Sequence, residues 1–441
     1  MSTPTTSDIP RLADKARKLL PILRRQARRP YIVEFSGTPK AGKTSVLHVI
    51  NRFLKDCGYQ VHVMGERAAD CPVAMKGHFF FNTWTTTTML ASMIERLESE
   101  ADVLLLDRGI FDALVWLEVQ LRAHQVTPAE DEVFRRFVLL DRWRKLTDLT
   151  FVLNVSSGKA LERENRDLLL SRSGTIMSAR PLENYNQVLD HVQKREHQRF
   201  NFFKVDTTGH SSARESSIVV AEALVGCIAE WADPEVAALP REVVEGLFGD
   251  NRVLRIVDVM ATVEAELVFR RRSQMGEDFV GLVGAVVLRH MGKMLLLHRA
   301  AAADEKREVF GSHVLWKGCH ILGTPSEASG LQGYAANAIQ NRLKEDFHLA
   351  QINAEDLAPK YLIWNRRDSR DAHHLGVFFD LEIQSPELAD TLEKKVFKRE
   401  RNRTKLGGDR FVSVSELQER VRGSELELES WSTELLAFIT K

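Results

Sequence analysis

Residues 37–44 read GTPKAGKT, and no other feature of this sequence restricts the possible folds as strongly. The segment fits the pattern G-x-x-x-x-G-K-[ST]; the apolar run YIVEFS precedes it and a helical stretch at 44–56 follows. A strand, a glycine-rich loop and a helix in this order place backbone N–H groups around phosphate oxygens. The sequence therefore predicts a phosphate-binding loop at the carboxyl edge of a parallel sheet, with ATP as its ligand.

The positions of the predicted loop have separate chemical roles. Glycines allow the backbone to approach the phosphates, Lys43 brings a positive charge to the β- and γ-phosphates, and the Thr44 hydroxyl is a ligand for Mg²⁺. We therefore expect ATP and Mg²⁺ as cofactors. The predicted ATP-binding residues are Gly37, Thr38, Pro39, Lys40, Ala41, Gly42, Lys43, Thr44 and Ser45.

Short apolar runs alternate with helical stretches from residue 31 to residue 231, which is the pattern of an α/β fold with a parallel sheet and crossover helices. The predicted strands include YQVHVM, DVLLLD and LTFVLNV. Residues 1–30 contain a basic amphipathic stretch, which we interpret as a lead-in helix packed on this domain. Binding to a membrane surface or to nucleic acid is the alternative for that stretch.

Charged residues follow two of the predicted strands, at the edge where open α/β sheets bind ligands. Asp107 ends the strand DVLLLD and is a candidate Mg²⁺ ligand, together with Thr44. Arg108 comes next and is a candidate for binding substrate phosphate. Glu66 follows the strand before it, where a carboxylate is placed to accept a hydroxyl proton or to anchor the substrate. The alternatives are that Asp107 caps the following helix, that Arg108 forms a surface ion pair, and that Glu66 is a solvated surface glutamate.

An arginine-containing stretch, KALERENRDLLLSRSG, lies between a predicted strand and a predicted helix. Its Arg163, Arg166 and Arg172 are candidate lid residues that neutralise charge during phosphoryl transfer. An ordinary solvated helix is the alternative. The aromatic residues of 79–84 (FFFNTW) are candidates for stacking on a base, and core packing is an equal alternative.

With these motifs in place, residues 31–230 resemble the thymidylate kinase and deoxynucleoside kinase superfamily. The resemblance implies that the loop binds ATP, that Glu66 is the base or substrate anchor, and that Asp107 and Arg108 lie beside the metal and the acceptor. Two departures stand out: no proline follows Glu66, and Gly109 follows Arg108 where serine or tyrosine is usual. The acceptor implied is a nucleoside or a nucleoside monophosphate.

The length of 441 residues indicates two domains, and the two prolines of ADPEVAALPREVVEGLFGD predict a linker at 232–250. The net charge is zero, so overall charge gives no reason to expect nucleic-acid binding. The sequence shows no apolar run of membrane-spanning length, no secretory signal pattern and four scattered cysteines. We therefore expect a cytoplasmic protein without a membrane span.

The second domain, 251–441, is expected to be a mixed α+β domain, and 278–435 resembles a degenerate Nudix domain. Aligned on 341–349, the chain keeps four signature positions: Leu343, Glu345, Asp346 and Leu349. It departs at four others: Gly333, Asn341, Arg342 and His348. Because Nudix hydrolysis needs several carboxylates to hold Mg²⁺, the resemblance implies a regulatory or nucleotide-binding domain rather than a hydrolase.

These patterns together predict ATP-dependent phosphoryl transfer to a nucleoside or nucleotide. Two alternatives stay open: an ATP-dependent switch or sensor without an acceptor, and a kinase fused to an active Nudix hydrolase. The basic run at 394–405, KKVFKRERNRTK, is a candidate contact for nucleic acid or for a free nucleotide, and a solvated surface is its alternative. The sequence does not determine the oligomeric state.

Overall fold

The computed structural model describes residues 9–26, 29–73, 78–166, 178–210, 212–301, 313–323, 330–346, 349, 352–366, 371–394, 396–400 and 404–440. The chain divides into two compact units, Met1–Ala232 and Asp233–Lys441. Within the described residues, no helix combines the length and the apolar character that crossing a membrane requires.

The first unit contains a five-stranded, all-parallel sheet in the order β2–β3–β1–β4–β5, with helices beside it. This is the α/β architecture that the strand and helix pattern predicts. Its elements are α1 (Ile9–Gln26), β1 (Tyr31–Gly37), α2 (Lys43–Asp56), β2 (Val61–Met64), α3 (Phe79–Arg96), β3 (Val103–Asp107), α4 (Ile110–Arg122), α5 (Pro128–Val138), α6 (Asp141–Arg144), β4 (Leu149–Asn154), α7 (Ser157–Arg166), α8 (Ala179–Arg195), β5 (Phe202–Asp206) and α9 (Ala213–Ala232).

Both faces of this sheet are covered, which explains why its central strands read as continuous apolar runs. Every residue of β1 is buried. Alternate side chains point to opposite faces, so Val33 and Phe35 join a cluster with α1, α2 and α9, whereas Ile32 joins a cluster with α3, α4, α5 and α8. The parallel strands therefore end together at one edge, where their carboxyl-terminal residues meet.

Helix α1 packs against α9 and against the residues near the start of β2. Ala16 and Leu23 are fully buried, and the Tyr59 hydroxyl donates a hydrogen bond to the Ala16 carbonyl oxygen at 2.8 Å. Arg24 makes a two-pronged contact with the Asp102 carboxylate, at 3.0 and 2.8 Å. The apolar side of this basic helix is thus covered by the first unit itself.

The second unit is built on an 11-stranded mixed sheet. Strands β9 and β14 pair in parallel, whereas β9 pairs antiparallel with β6, β10 and β12. The elements of this unit are β6 (Glu235–Pro240), α10 (Arg241–Phe248), β7 (Val253–Arg255), α11 (Ile256–Ala265), β8 (Val268–Arg271), β9 (Phe279–His290), β10 (Lys293–Ala301), β11 (His313–Val314), β12 (Lys317–His320), α12 (Gly330–Asp346), β13 (Pro359–Ile363), β14 (His374–Glu382), α13 (Pro386–Glu393), β15 (Val396–Glu400), β16 (Thr404–Val412), α14 (Val414–Arg422) and α15 (Ser430–Ile439).

The linker predicted at 232–250 is wrong, because most of this segment is β6 and α10. Strand β6 pairs with β8 and β9, and Val236, Ala237 and Leu239 are buried in the second unit. The two prolines caused the error: Pro234 precedes the strand and Pro240 ends it, and both positions tolerate proline. The basic run 394–405 includes strand β15 and the first two residues of β16, with which β15 pairs. Its side chains, apart from that of Lys394, lie outside the described residues.

Candidate active site

The loop between β1 and α2 adopts the tight conformation that its glycines predict. Gly37 has φ 133°, and a Cβ atom there would lie 2.0 Å from the Leu153 carbonyl oxygen, so any side chain is excluded. Gly42 has φ 89° and stands directly before the first turn of α2. Both glycines occupy the left-handed region that other residues rarely adopt. The loop therefore ends at a helix N-terminus, where unpaired N–H groups and the helix dipole favour an anion.

Lys43 lies beneath this loop, with 7% of its surface exposed. Its ammonium group donates to the carbonyl oxygens of Gly37 and Thr38, both at 2.9 Å. Burial, and then the positive charge of Arg108, lower the pKa of Lys43 to about 8. A phosphate in the loop would compensate both effects, so the site is suited to a negatively charged ligand.

Thr44 and Asp107, the two candidate Mg²⁺ ligands, meet at the edge of the sheet. The Thr44 hydroxyl donates to Asp107 Oδ2 at 2.7 Å. Asp107 Oδ1 is buried, and no described residue gives it a hydrogen bond. Mg²⁺ in nucleotide sites takes few protein ligands and completes its shell with phosphates and water. The pair fits such an ion, although no group of three His, Cys, Asp or Glu residues forms a metal site in the described chain.

Arg108 joins two carboxylates beside this pair. Its Nε lies 2.8 Å from Glu66 Oε1, and its Nη1 donates to both oxygens of Asp112, at 2.9 and 3.2 Å. The structure thus brings Glu66 and Arg108 together and places the guanidinium between two carboxylates. Asp112 was missed in the sequence. Its spacing of four residues from Arg108, in the first turn of a helix, is a signal that an ion-pair search would have found.

Glu34 is a second carboxylate that the sequence did not reveal. It is fully buried in the middle of β1 and accepts hydrogen bonds from the backbone N–H groups of Phe111, at 3.1 Å, and Asp112, at 2.9 Å. Burial raises the pKa of Glu34 to about 7, although these two hydrogen bonds oppose that rise. The side chain caps the start of α4, directly behind Arg108 and Asp112.

A cavity of about 440 Å³ opens in front of these residues, between the loop and helices α3 and α4. Volumes of this order accommodate small-molecule ligands. Three kinds of side chain line it. The charged residues are Glu66, Arg67, Asp107, Arg108 and Asp112. The apolar residues include Phe81, Met89, Trp116 and Val119. The uncharged polar residues are Asn82, Thr85, Thr86, Gln120 and Gln125.

The threonine hydroxyls that line the cavity donate their protons to backbone carbonyl oxygens of the same helix. Thr85 Oγ1 donates to the carbonyl oxygens of Phe81 and Asn82 at 3.0 and 3.1 Å, and Thr86 Oγ1 donates to that of Asn82 at 2.7 Å. The lone pairs of both hydroxyls therefore remain available to a ligand that donates hydrogen bonds. Of the aromatic residues at 79–84, Phe81 lines the cavity, whereas Phe79 packs edge-on against Phe134 at 5.5 Å.

Arg163 is in contact with the back of the phosphate loop. Its guanidinium donates to the carbonyl oxygens of Lys40 at 3.1 Å, Thr207 at 2.6 Å and His210 at 3.3 Å, and to Thr207 Oγ1 at 3.1 Å. These contacts connect α7 to the phosphate loop and to the loop that follows β5. Arg166 ends α7, and its side chain lies outside the described residues, as does all of Arg172.

The remaining loop residues are held by the neighbouring helices. Thr38 Oγ1 donates to Asn186 Oδ1 at 2.6 Å, and Lys40 forms an ion pair with Glu164 at 2.7 Å. Pro39 lines the cavity, Ala41 is buried, and Ser45 is exposed on the first turn of α2. The sequence contained no signal for the Asn186 contact, because 148 residues separate it from Thr38.

Neither a protein-family model nor a curated protein matches this chain. Among solved structures, a protein assigned as a Nudix hydrolase is similar, with 15% identity, a TM-score of 0.31, and coverage of 46% of this chain and 97% of that one. Deoxyadenosine kinase from M. mycoides, with dCTP bound, has 18% identity and a TM-score of 0.34, covering 44% of this chain and 99% of that one. The same kinase with dATP bound has 16% identity and a TM-score of 0.35, covering 44% and 98%.

Proposed function

We propose that the first unit transfers the γ-phosphoryl group of ATP to a nucleoside or a nucleoside monophosphate. The observation that carries this proposal is one continuous arrangement. The buried Lys43 lies under the loop, the Thr44–Asp107 pair stands at the helix start, and the Glu66–Arg108 ion pair faces a cavity beside them. A phosphate donor and an acceptor would meet at this point. The motif resemblance to thymidylate and deoxynucleoside kinases supports the same reaction.

The chain's own residues would act mainly by positioning and by charge. Lys43 holds the β- and γ-phosphates, and Thr44 and Asp107 would hold Mg²⁺, which when bound neutralises phosphate charge. Glu66 is 40% exposed at the cavity and takes the proton of an acceptor hydroxyl. The acceptor oxygen then bonds to the γ-phosphorus while the bond from that phosphorus to the β-phosphate oxygen breaks, and ADP leaves.

The test incubates the full-length protein with Mg²⁺ and γ-labelled ATP and offers nucleosides, deoxynucleosides and their monophosphates one at a time. Label in an acceptor, absent with Lys43→Ala, supports the proposal and identifies the acceptor class. ATP binding without any labelled acceptor would contradict it and favour the switch or sensor hypothesis.

For the second unit we propose a ligand-binding or regulatory role rather than hydrolysis. Support comes from the sequence: Arg342 stands at a position where the Nudix signature has a metal-binding glutamate. The side chains of Glu345 and Asp346 lie outside the described residues. Mg²⁺-dependent release of pyrophosphate or phosphate from nucleotides by a fragment of residues 233–441 would overturn this role and support a bifunctional enzyme.

A further inference from the structure

The N-terminus of α4 is capped by a side chain of strand β1 rather than by the residue at its own N-cap position. Gly109 occupies the N-cap position and has no side chain to accept a hydrogen bond. The second and third helical residues, Phe111 and Asp112, instead donate their backbone N–H groups to Glu34 of β1. A serine or aspartate at the N-cap normally accepts from these two groups. Glu34 therefore caps α4 in place of a side chain at position 109.

Glu34 and position 109 compete for the same space. A Cβ atom on Gly109 would lie 2.6 Å from Glu34 Cδ and 2.7 Å from its Oε2. The φ of Gly109 is −149°, outside the left-handed region that favours glycine, so φ alone does not require glycine. The buried carboxylate is what excludes a side chain at position 109.

The capped turn carries side chains of the candidate site. Asp112 is the third residue of α4, and its carboxylate accepts from Arg108 Nη1 and from the Ser36 hydroxyl, at 2.8 Å. Arg108 in turn contacts Glu66 at the cavity. A shift of the first turn of α4 would therefore move Asp112 and Arg108 relative to the phosphate loop.

We propose that Glu34 is a positioning residue for phosphoryl transfer, which holds the start of α4 and thereby fixes Asp112 and Arg108 at the cavity. Because the Glu34 carboxylate occupies the space beside position 109, that position must be glycine. This inference rests on the proposed function, because the geometry that Glu34 maintains is that of the proposed acceptor site.

The experiment uses Glu34→Ala, Gly109→Ser and the double variant in the full-length protein. Glu34→Ala should lower the exchange protection of the Phe111 and Asp112 amides about 10-fold. It should also lower kcat between 10- and 100-fold. The Kd of Mg-ATP should stay within about two-fold, because the hydrogen bonds that the Glu34 side chain accepts within the described residues come from the start of α4 rather than from the loop. Glu34→Gln keeps one acceptor oxygen but turns its NH2 group toward the other backbone N–H, so it should fall between the wild type and Glu34→Ala in both protection and kcat.

The decisive result is the double variant. Gly109→Ser alone should be harmful because its side chain meets Glu34, but in the Glu34→Ala background it should restore both protection and kcat. Gly226→Ser is the matched control, because a Cβ atom there meets nothing within 4 Å. Failure of the double variant to improve on Glu34→Ala, or a normal kcat in Glu34→Ala, would overturn the inference.

The acceptor for these kinetics is the one that the labelling test identifies. Wild-type protein that labels no acceptor would refute the proposed function and, with it, the catalytic part of this inference. The exchange measurement needs no acceptor, so it would still show whether Glu34 caps α4. The two failures are therefore distinguishable.

Discussion

The surroundings of Lys43 disfavour its positively charged form. Burial, and the nearby Arg108, lower the pKa of this lysine to about 8, well below its ordinary value of 10.5. A bound triphosphate would stabilise the ammonium form and raise that pKa again. Protonation of Lys43 and ATP binding must therefore be linked, each favouring the other.

We predict from this linkage that ATP affinity depends on pH in the alkaline range. Below the pKa of about 8, Lys43 is already charged, and affinity should be constant with respect to this group. Above it, binding must take up a proton, so affinity should fall by at most about ten-fold for each pH unit. Calorimetric titration between about pH 7.5 and pH 9.5 measures this. Lys43→Ala should bind weakly and without that dependence, and an equally steep fall in this variant would contradict the prediction.

Glu66 is predicted to act on the chemical step rather than on ATP binding. Glu66→Gln should lower kcat by about 10²- to 10⁴-fold, because the amide cannot take the acceptor proton. The Kd of Mg-ATP should change little, and initial rates together with equilibrium titrations separate the two effects. Glu132→Gln, an exposed glutamate on α5, is the matched control. An unchanged kcat would remove Glu66 as the base.

At the scale of elements, α7 is connected to the phosphate loop through Arg163 and through the Lys40–Glu164 ion pair. Arg163 donates to the carbonyl oxygen of Lys40 and to Thr207, and the Thr207 hydroxyl in turn donates to the Ala41 carbonyl oxygen at 3.2 Å. The helix therefore supports the conformation of the loop between Gly37 and Gly42. This contact gives Arg163 a structural function in addition to the lid role that the sequence favours.

We predict that Arg163→Ala weakens ATP binding and lowers the stability of the first unit. Loss of hydrogen bonds from a charged donor to partly buried carbonyls should cost about 2 kcal/mol. The expected result is a Kd raised by roughly ten-fold or more and a lower unfolding temperature. Arg136→Ala, on the exposed face of α5, controls for loss of charge. A normal Kd would show that the loop keeps its conformation without Arg163.

The elements of the first unit were largely predictable because buried parallel strands have a sequence pattern of their own. YIVEFS and DVLLLD are short, mostly apolar segments, and the residues that end them belong to the site. Contacts between distant segments were not predictable in this way. Glu34 reads as an ordinary polar residue in a strand, and only the fold brings it to the start of α4, 77 residues later.

At the scale of the whole molecule, the chain divides at residue 232, and β6 belongs to the second unit. Strand β6 pairs with both β8 and β9. A fragment that starts at residue 251 therefore lacks a strand of the sheet and exposes the edge that β6 covers. Unpaired strand edges of this kind promote aggregation.

We predict that fragments 1–232 and 233–441 fold separately, whereas 251–441 does not form a stable monomer. Circular dichroism, thermal unfolding and size-exclusion chromatography of the three fragments measure this. Fragment 1–232 should bind ATP with the affinity of the whole protein, because all described residues of the candidate site lie in it. A well-folded, monomeric 251–441 would show that β6 is dispensable.

The shared space of Glu34 and Gly109 also has an evolutionary consequence. Neither residue is free to change alone, since losing the carboxylate uncaps α4 and adding a side chain at 109 produces a clash. Lineages that descend from this chain should therefore keep both residues or exchange both. Where position 109 carries serine, position 34 should carry a small or apolar residue. The two positions lie 75 residues apart in the sequence and should nevertheless change together during evolution.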